Sequence, residues 1–327
     1  MLAVQFSSMR VVEFPDVHTF DQRVGRFLIL REAENCYFLG LLPGIMARSS
    51  QPMLPRHRFF AVEDHDVITA AALLFPDGCL LMTWASHEMI NVLVDGLART
   101  NAHITNIYAP AHVSWVLAQA WTERTGQRYE LNRAERIYQL ARVSYPLPSH
   151  GRLEVANSAD HPLLTSWFEG FGREAEYEDR GLDKIRESLV ASRTLFLWKD
   201  PEPVAMAAWV SPTPNGGCIN FVYTPPEFRH RGYAKAVVSA LGRLMLSSGR
   251  RFCFILTEPK DSQTNLLYQN VGARTLCELM RCNILPALAP QQANGQNGQA
   301  HPNIQAPPSG QMPQAPVPAP VTHSFTF

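Results

Sequence analysis

The chain has 327 residues, of which 46% are hydrophobic and 18% charged, and its 29 basic and 29 acidic side chains give a formal net charge of zero. That length holds two domains of ordinary size. The missing basic excess argues against nucleic acid or an anionic membrane as partner.

The first residues, Met1–Phe6, lack the basic region and apolar core of a signal peptide. The longest apolar run, near Val67–Phe75, is the size of a strand and not of a membrane span. The expected location is therefore the cytoplasm. Cys36, Cys79, Cys218, Cys253, Cys277 and Cys282 form no Cys-x-x-Cys pair and sit mostly in apolar runs. Buried reduced thiols are expected in preference to disulfides or zinc ligands. The 11 histidines are scattered without ligand spacing, so no metal is expected.

In chain order, Val17–Ala47 carries a helical apolar pattern that should break at Pro43-Gly44. Arg58–Val62 and Val67–Phe75 read as a strand pair around a polar turn, and Cys79–Trp84 as a third strand. Ser86 is placed to cap a helix over His87–Asn101. Ile104–Tyr108 is a short strand, His112–Thr125 a helix stopped by Gly126, and Ile137–Val143 a closing strand. The order then repeats. Asp160–Glu169 and Asp183–Ser192 read as helices, and Thr194–Lys199, Val204–Val210 and Cys218–Tyr223 as strands. A helix from Tyr233, a buried strand Phe252–Thr257, a short helix at Asn265–Gly272 and a strand pair within Ala273–Ile284 complete the set. The last region, Pro286–Phe327, has no Asp, Glu, Lys or Arg and is rich in Pro, Gln, Ala and Asn. Such a stretch cannot bury enough apolar area to offset its ordering entropy, so a disordered tail is expected. It is either a plain tail or a docking segment that uses Phe325-Thr326-Phe327.

The most informative stretch is Phe221–Ala234. Its strand end is apolar, and Pro225 and Pro226 lack the N–H groups that sheet pairing needs. Arg229-His230-Arg231-Gly232 follows, and the helix starts at Tyr233. A helix start offers free N–H groups and partial positive charge, and two Arg and a Gly are added here. Taken alone, the turn is either a solvated basic loop or a socket for a pyrophosphate.

Arg229-x-x-Gly232-x-Ala234 resembles the coenzyme A pyrophosphate motif of the GNAT superfamily of acetyl-CoA-dependent N-acetyltransferases. Thr257 followed by Asn265-x-x-Tyr268-x-x-x-Gly272 is similar to the second cofactor segment of that superfamily. The resemblance covers roughly residues 151–284. It implies an α/β chain with a mixed α+β sheet, the GNAT fold, in two similar halves. Residues 1–148 are read as a degenerate GNAT-like domain without the pyrophosphate motif, 149–285 as the catalytic domain and 286–327 as the tail. An unrelated α/β domain is the alternative for the first region.

The resemblance also implies roles. Arg229, His230, Arg231, Gly232, Tyr233 and Ala234 would hold the pyrophosphate of acetyl-CoA. The strand end Val222, Tyr223 and Thr224 would lie along the pantetheine arm, with the backbone of Val222 and Thr224 pairing to it. Asn265 would contact the cofactor. Tyr268 would protonate the leaving thiolate, or else only pack its helix on the sheet. The general base stays open among Glu169, Glu174, Glu176, Asp179, Glu258 and a water relay; Asn220 is the only strongly polar side chain within its strand. The acidic run Glu174–Asp179 either attracts a cationic amine or is an ordinary polar loop. The expected activity is acetyl transfer to a small-molecule primary amine. A coenzyme A-binding sensor or scaffold without turnover is the alternative, and the acceptor and oligomeric state are open. A Walker-type nucleotide site lacks its Gly-Lys-Ser/Thr signature here.

Overall fold

The structure, a computed structural model, describes residues 8–49, 56–175 and 181–287. The expected tail, and Glu176 and Asp179, lie outside the described residues. The first half runs β1 (Arg10–Phe14), α1 (Val17–Leu30), α2 (Cys36–Arg48), β2 (Arg58–Asp64), β3 (Val67–Leu74), β4 (Cys79–Met82), α3 (His87–Arg99), β5 (Asn106–Pro110), α4 (Ala111–Thr125) and β6 (Arg128–Leu140). The second half is β7 (Arg152–Val155), α5 (His161–Glu174), α6 (Leu182–Ala191), β8 (Leu195–Lys199), β9 (Pro203–Val210), β10 (Cys218–Tyr223), α7 (Tyr233–Ser247), β11 (Cys253–Thr257), α8 (Ser262–Val271) and β12 (Arg274–Leu285). Each element of the first half has its counterpart in the second.

Local chemistry sets many of these boundaries. The Asp16 carboxylate accepts the Thr19 N–H at 2.8 Å and caps α1. Ser86 caps α3 by accepting the Met89 N–H. Gly126 and Gly272 end α4 and α8 in the left-handed conformation. Three expectations need correction. Pro43 lies inside α2, not at a break. It is exposed and leaves the Leu39 carbonyl without its usual N–H partner; the real interruption is at residues 31–35. The closing strand of the first half is longer and starts earlier, at Arg128, and the expected terminal pair is the single strand β12. The short outermost strands β1 and β7 were not foreseen.

One sheet of twelve strands results, in the order β1-β2-β3-β4-β5-β12-β6-β11-β10-β9-β8-β7. The last strands of the two halves are exchanged. β6 pairs with β11 over Cys253↔Leu140 to Thr257↔Arg136, and β12 pairs with β5 over Leu279↔Pro110 to Asn283↔Asn106. β6 and β12 also pair with each other at the centre. The sheet thus crosses the expected boundary at 148 three times.

One face of the sheet carries α1, α2, α5 and α6 over a shared core that includes Phe20, Phe38, Tyr108, Ile137, Phe168, Phe221 and Phe254. On the other face, α3 and α4 cover the first half, and α7 and α8 the second. Burial of one such large apolar side chain contributes about 1.5–3 kcal/mol, and α7 alone buries Val237, Val238, Leu241 and Met245. A buried carboxylate joins the halves. Glu32, in the turn between α1 and α2, accepts from Thr213 Oγ1 at 2.5 Å and from the backbone and side-chain nitrogens of Asn215 at 2.7 Å each. Beside it a Cβ on Gly40 would come within 3.0 Å of the Ser211 Cβ, so α2 packs directly on the second half.

Candidate active site

The site forms where two neighbouring parallel strands part. β10 and β11 share a single register pair, Cys218↔Phe254. In the first half the equivalent strands β4 and β5 share three, from Cys79↔Asn106 to Leu81↔Tyr108. A bulge in β10 marks the separation. The β9 register shifts between Asn220 and Tyr223, and Phe221 takes φ +50°. A bulky residue with positive φ is strained. Here the Phe221 ring is held against Phe168 and Phe171 of α5 at 5.4 Å, and the Phe221 N–H donates to Asn220 Oδ1 at 2.6 Å. Asn220 therefore serves the bulge. Beyond it, among the described residues, Val222, Tyr223 and Thr224 make no pairs with β11.

The chain next passes through Pro225 and a 3₁₀ turn at Pro226–Phe228, then Arg229-His230-Arg231-Gly232, into α7. His230 and Gly232 have φ +61° and +84°. Gly232 is the N-cap of α7, and the N–H groups of Tyr233, Ala234 and Lys235 lack intrahelical acceptors. A Cβ on Gly232 would be strained by its φ and would sit 3.4 Å from the Tyr145 hydroxyl. Arg231 and His230 are exposed. Tyr233 donates to Asp200 at 3.0 Å, a bond that raises its phenol pKa. Arg229 is already engaged. Its Nε donates to the Thr224 carbonyl at 2.8 Å, its NH2 meets Glu174 of α5 at 2.5 Å, and its guanidinium lies 5.8 Å from the Tyr223 ring. One backbone group expected to face pantetheine, the Thr224 carbonyl, is thus held by an arginine. The Thr224 hydroxyl, by contrast, is buried without a partner.

Tyr268 and Asn265 lie one turn apart on α8, both buried. The Tyr268 hydroxyl has no hydrogen-bond partner among the described residues; its ring lies 6.0 Å from that of Tyr138. Burial, then the neighbouring Cys218 and Asp261, pushes its pKa well above the ordinary phenol value. Asn265 is saturated by protein. Its Nδ2 donates to the carbonyls of Glu258, Pro259 and Asp261, and its Oδ1 accepts from Tyr138 at 2.7 Å and Arg136 at 3.2 Å. Its observed work is to fix the β11–α8 turn on β6. Of the suggested bases, Glu169 is exposed on α5, Glu174 is paired with Arg229, and Glu258 is paired with Arg133 and Lys260 at 3.0 Å each.

Residues 197–282, which span the strands and helices of this site, match the model of the FR47-like protein family. The whole two-half architecture also recurs in solved structures. A GNAT-family acetyltransferase from Colwellia psychrerythraea superposes with a TM-score of 0.51 at 11% identity, over 84% of this chain and 99% of that one. This chain has the GNAT fold. A GCN5-related N-acetyltransferase from Sphaerobacter thermophilus gives 0.54 at 14% identity, covering 85% and 96% of the two chains. A Drosophila protein gives 0.56 at 11%, covering 86% and 100%. No curated protein matches by sequence. No helix among the described residues is long and apolar enough to cross a membrane. The six cysteines are unpaired, and five of them are buried.

Proposed function

We propose that the chain is an N-acetyltransferase that moves an acetyl group from acetyl-CoA to a primary amine by direct transfer, with the second half as the catalytic one. The observation that carries this reading is the parting of β10 and β11 directly before a glycine-capped helix start. The gap is a slot in which an extended amide-bearing arm pairs with strand backbone. The free N–H groups of α7, with Gly232 small enough for close approach, suit a pyrophosphate. The orphaned Thr224 hydroxyl is a buried polar atom that a ligand in the slot would satisfy. Tyr268, protonated at neutral pH, is the acid for the departing thiolate. Its hydroxyl makes no hydrogen bond among the described residues, which favours turnover over a binding-only role. The first half keeps β4 and β5 paired and caps α3 with Ser86 itself, so it is read as silent.

The test is calorimetric titration with acetyl-CoA, followed by thiol release over a panel of primary amines. Stoichiometric binding with amine-dependent thiol release is expected. Failure to bind overturns the reading, and binding without thiol release on any amine assigns the chain to sensing.

A further inference from the structure

A carboxylate from the first half lies on the face of the sheet that carries α5 and α6. Glu135 of β6 is opposite Leu279 of β12, one residue beyond the last β6–β11 pair, Thr257↔Arg136. It shares a face with its neighbour but one, Ile137, whose side chain belongs to the core under α1, α2, α5 and α6. Its side chain is 20% exposed. Glu135 Oε2 accepts from the Tyr37 hydroxyl of α2 at 2.8 Å and from the Tyr108 hydroxyl of β5. Among the described residues, Oε1 has no hydrogen bond and faces Arg133 Nε at 3.7 Å, while that arginine's NH2 is drawn to Glu258 at 3.0 Å. A carboxylate aimed by two phenols on one oxygen, with the other left for an incoming donor, is what proton abstraction requires.

Its position relative to the slot follows from the sheet register. Glu135 lies on β6, which flanks β11 on the side away from β10, one residue beyond the Thr257↔Arg136 pair, and β10 and β11 part beyond Cys218↔Phe254. Glu135 is on the face that carries α2 and α5, while Tyr268 of α8 packs in the core of the opposite face.

We propose that Glu135, carried by a strand of the first half, is the general base of the second half and binds the acceptor as its ammonium ion. This rests on the acetyltransferase reading above. The ammonium gives one proton to Glu135 Oε1, from which it passes to solvent. The nitrogen lone pair then forms the bond to the acetyl carbon. The carbon–sulfur bond breaks with its electron pair on sulfur, and Tyr268 protonates that sulfur. The second proton shed by nitrogen restores the phenol, so the cycle releases one proton in all. The other groups facing Glu135 modulate it. From α2 come Tyr37 and Cys36, the latter raised mainly by burial. From β12 comes Arg281, stacked 5.2 Å from the Tyr108 ring. Arg133 and Glu258 complete the set.

The experiment compares full-length wild type, Glu135→Gln and the double variant Tyr37→Phe/Tyr108→Phe, with acetyl-CoA and the amine panel from pH 5 to about 10. Glu135→Gln is expected to bind acetyl-CoA as wild type does, to lose about 100-fold or more in kcat/KM and to lose the ascending limb of the pH profile. The double variant removes the two donors that orient the carboxylate, so its kcat/KM should fall while acetyl-CoA binding holds. Glu135→Gln with turnover within about threefold of wild type and the limb retained overturns the role, as does a lowered Tm with an unchanged profile. A wild type that binds acetyl-CoA but acetylates no amine overturns the acetyltransferase reading, and this role with it.

Discussion

Tyr268 shows how burial tunes a single group. A phenol acting as an acid must keep its proton until sulfur needs it. Apolar packing disfavours the phenolate, so the buried Tyr268 stays protonated beyond the usual phenol range. The descending limb of kcat is therefore expected above pH about 10, the ordinary phenol value. Tyr268→Phe keeps the ring and its contact with Tyr138, so acetyl-CoA affinity and Tm should hold while kcat falls about 100-fold. Undiminished turnover removes the role. At this scale the sequence was informative where chemistry is local. The turn at Arg229 to Gly232 and the helix start after it are legible because neighbours in the chain are neighbours in space. The hydrogen-bond partners of Asn265, Arg136 and Tyr138, are not legible from its own stretch, because they are well over a hundred residues away. Glu135 was overlooked for the same reason: nothing near it in the chain announces Tyr37 or Tyr108.

Between elements, the end of α5 holds the Arg229–Gly232 turn through Glu174 and Arg229. The two side chains are 50% and 35% exposed, and such a pair contributes at most about 1 kcal/mol. Breaking it to free Arg229 for a pyrophosphate costs no more than that. Glu174→Gln should therefore tighten acetyl-CoA binding by up to about fivefold, with the gain fading as salt screens the wild-type pair. Equal affinities at low salt would show that Arg229 does not meet the pyrophosphate. Glu32 is a different case, being buried beneath Thr213 and Asn215. Glu32→Ala leaves those donors without an acceptor and should lower stability by roughly 2–4 kcal/mol, read as a fall in the denaturation midpoint. The periodicity of most helices was plain in the sequence. The position of Pro43 was not, because a proline that reads as a break sits inside α2 at the loss of one intrahelical bond.

For the whole molecule, the repeated order of elements was legible, but the exchange of β6 and β12 was not. Strand partners are chosen by the sheet as a whole, and both strands carry the same alternation in either place. The exchange bears on any attempt to isolate the catalytic half. A fragment of residues 149–285 would lose β6 from the flank of β11 and both neighbours of β12. It should show no cooperative thermal transition and no acetyl-CoA binding, by circular dichroism and calorimetry. Co-expression with residues 1–148 should restore both. A stably folded fragment would mean that β12 can turn back and fill the place of β6.

Synthesis of this chain then has a built-in order. The leading half leaves the ribosome with the seat beside β5 vacant, and the piece that fills it, β12, is among the last of the described residues to be made. Until then β6 lacks one of its two partners, and that edge is open to other chains. A product that stops short of β12 therefore has two broken halves and not one good one.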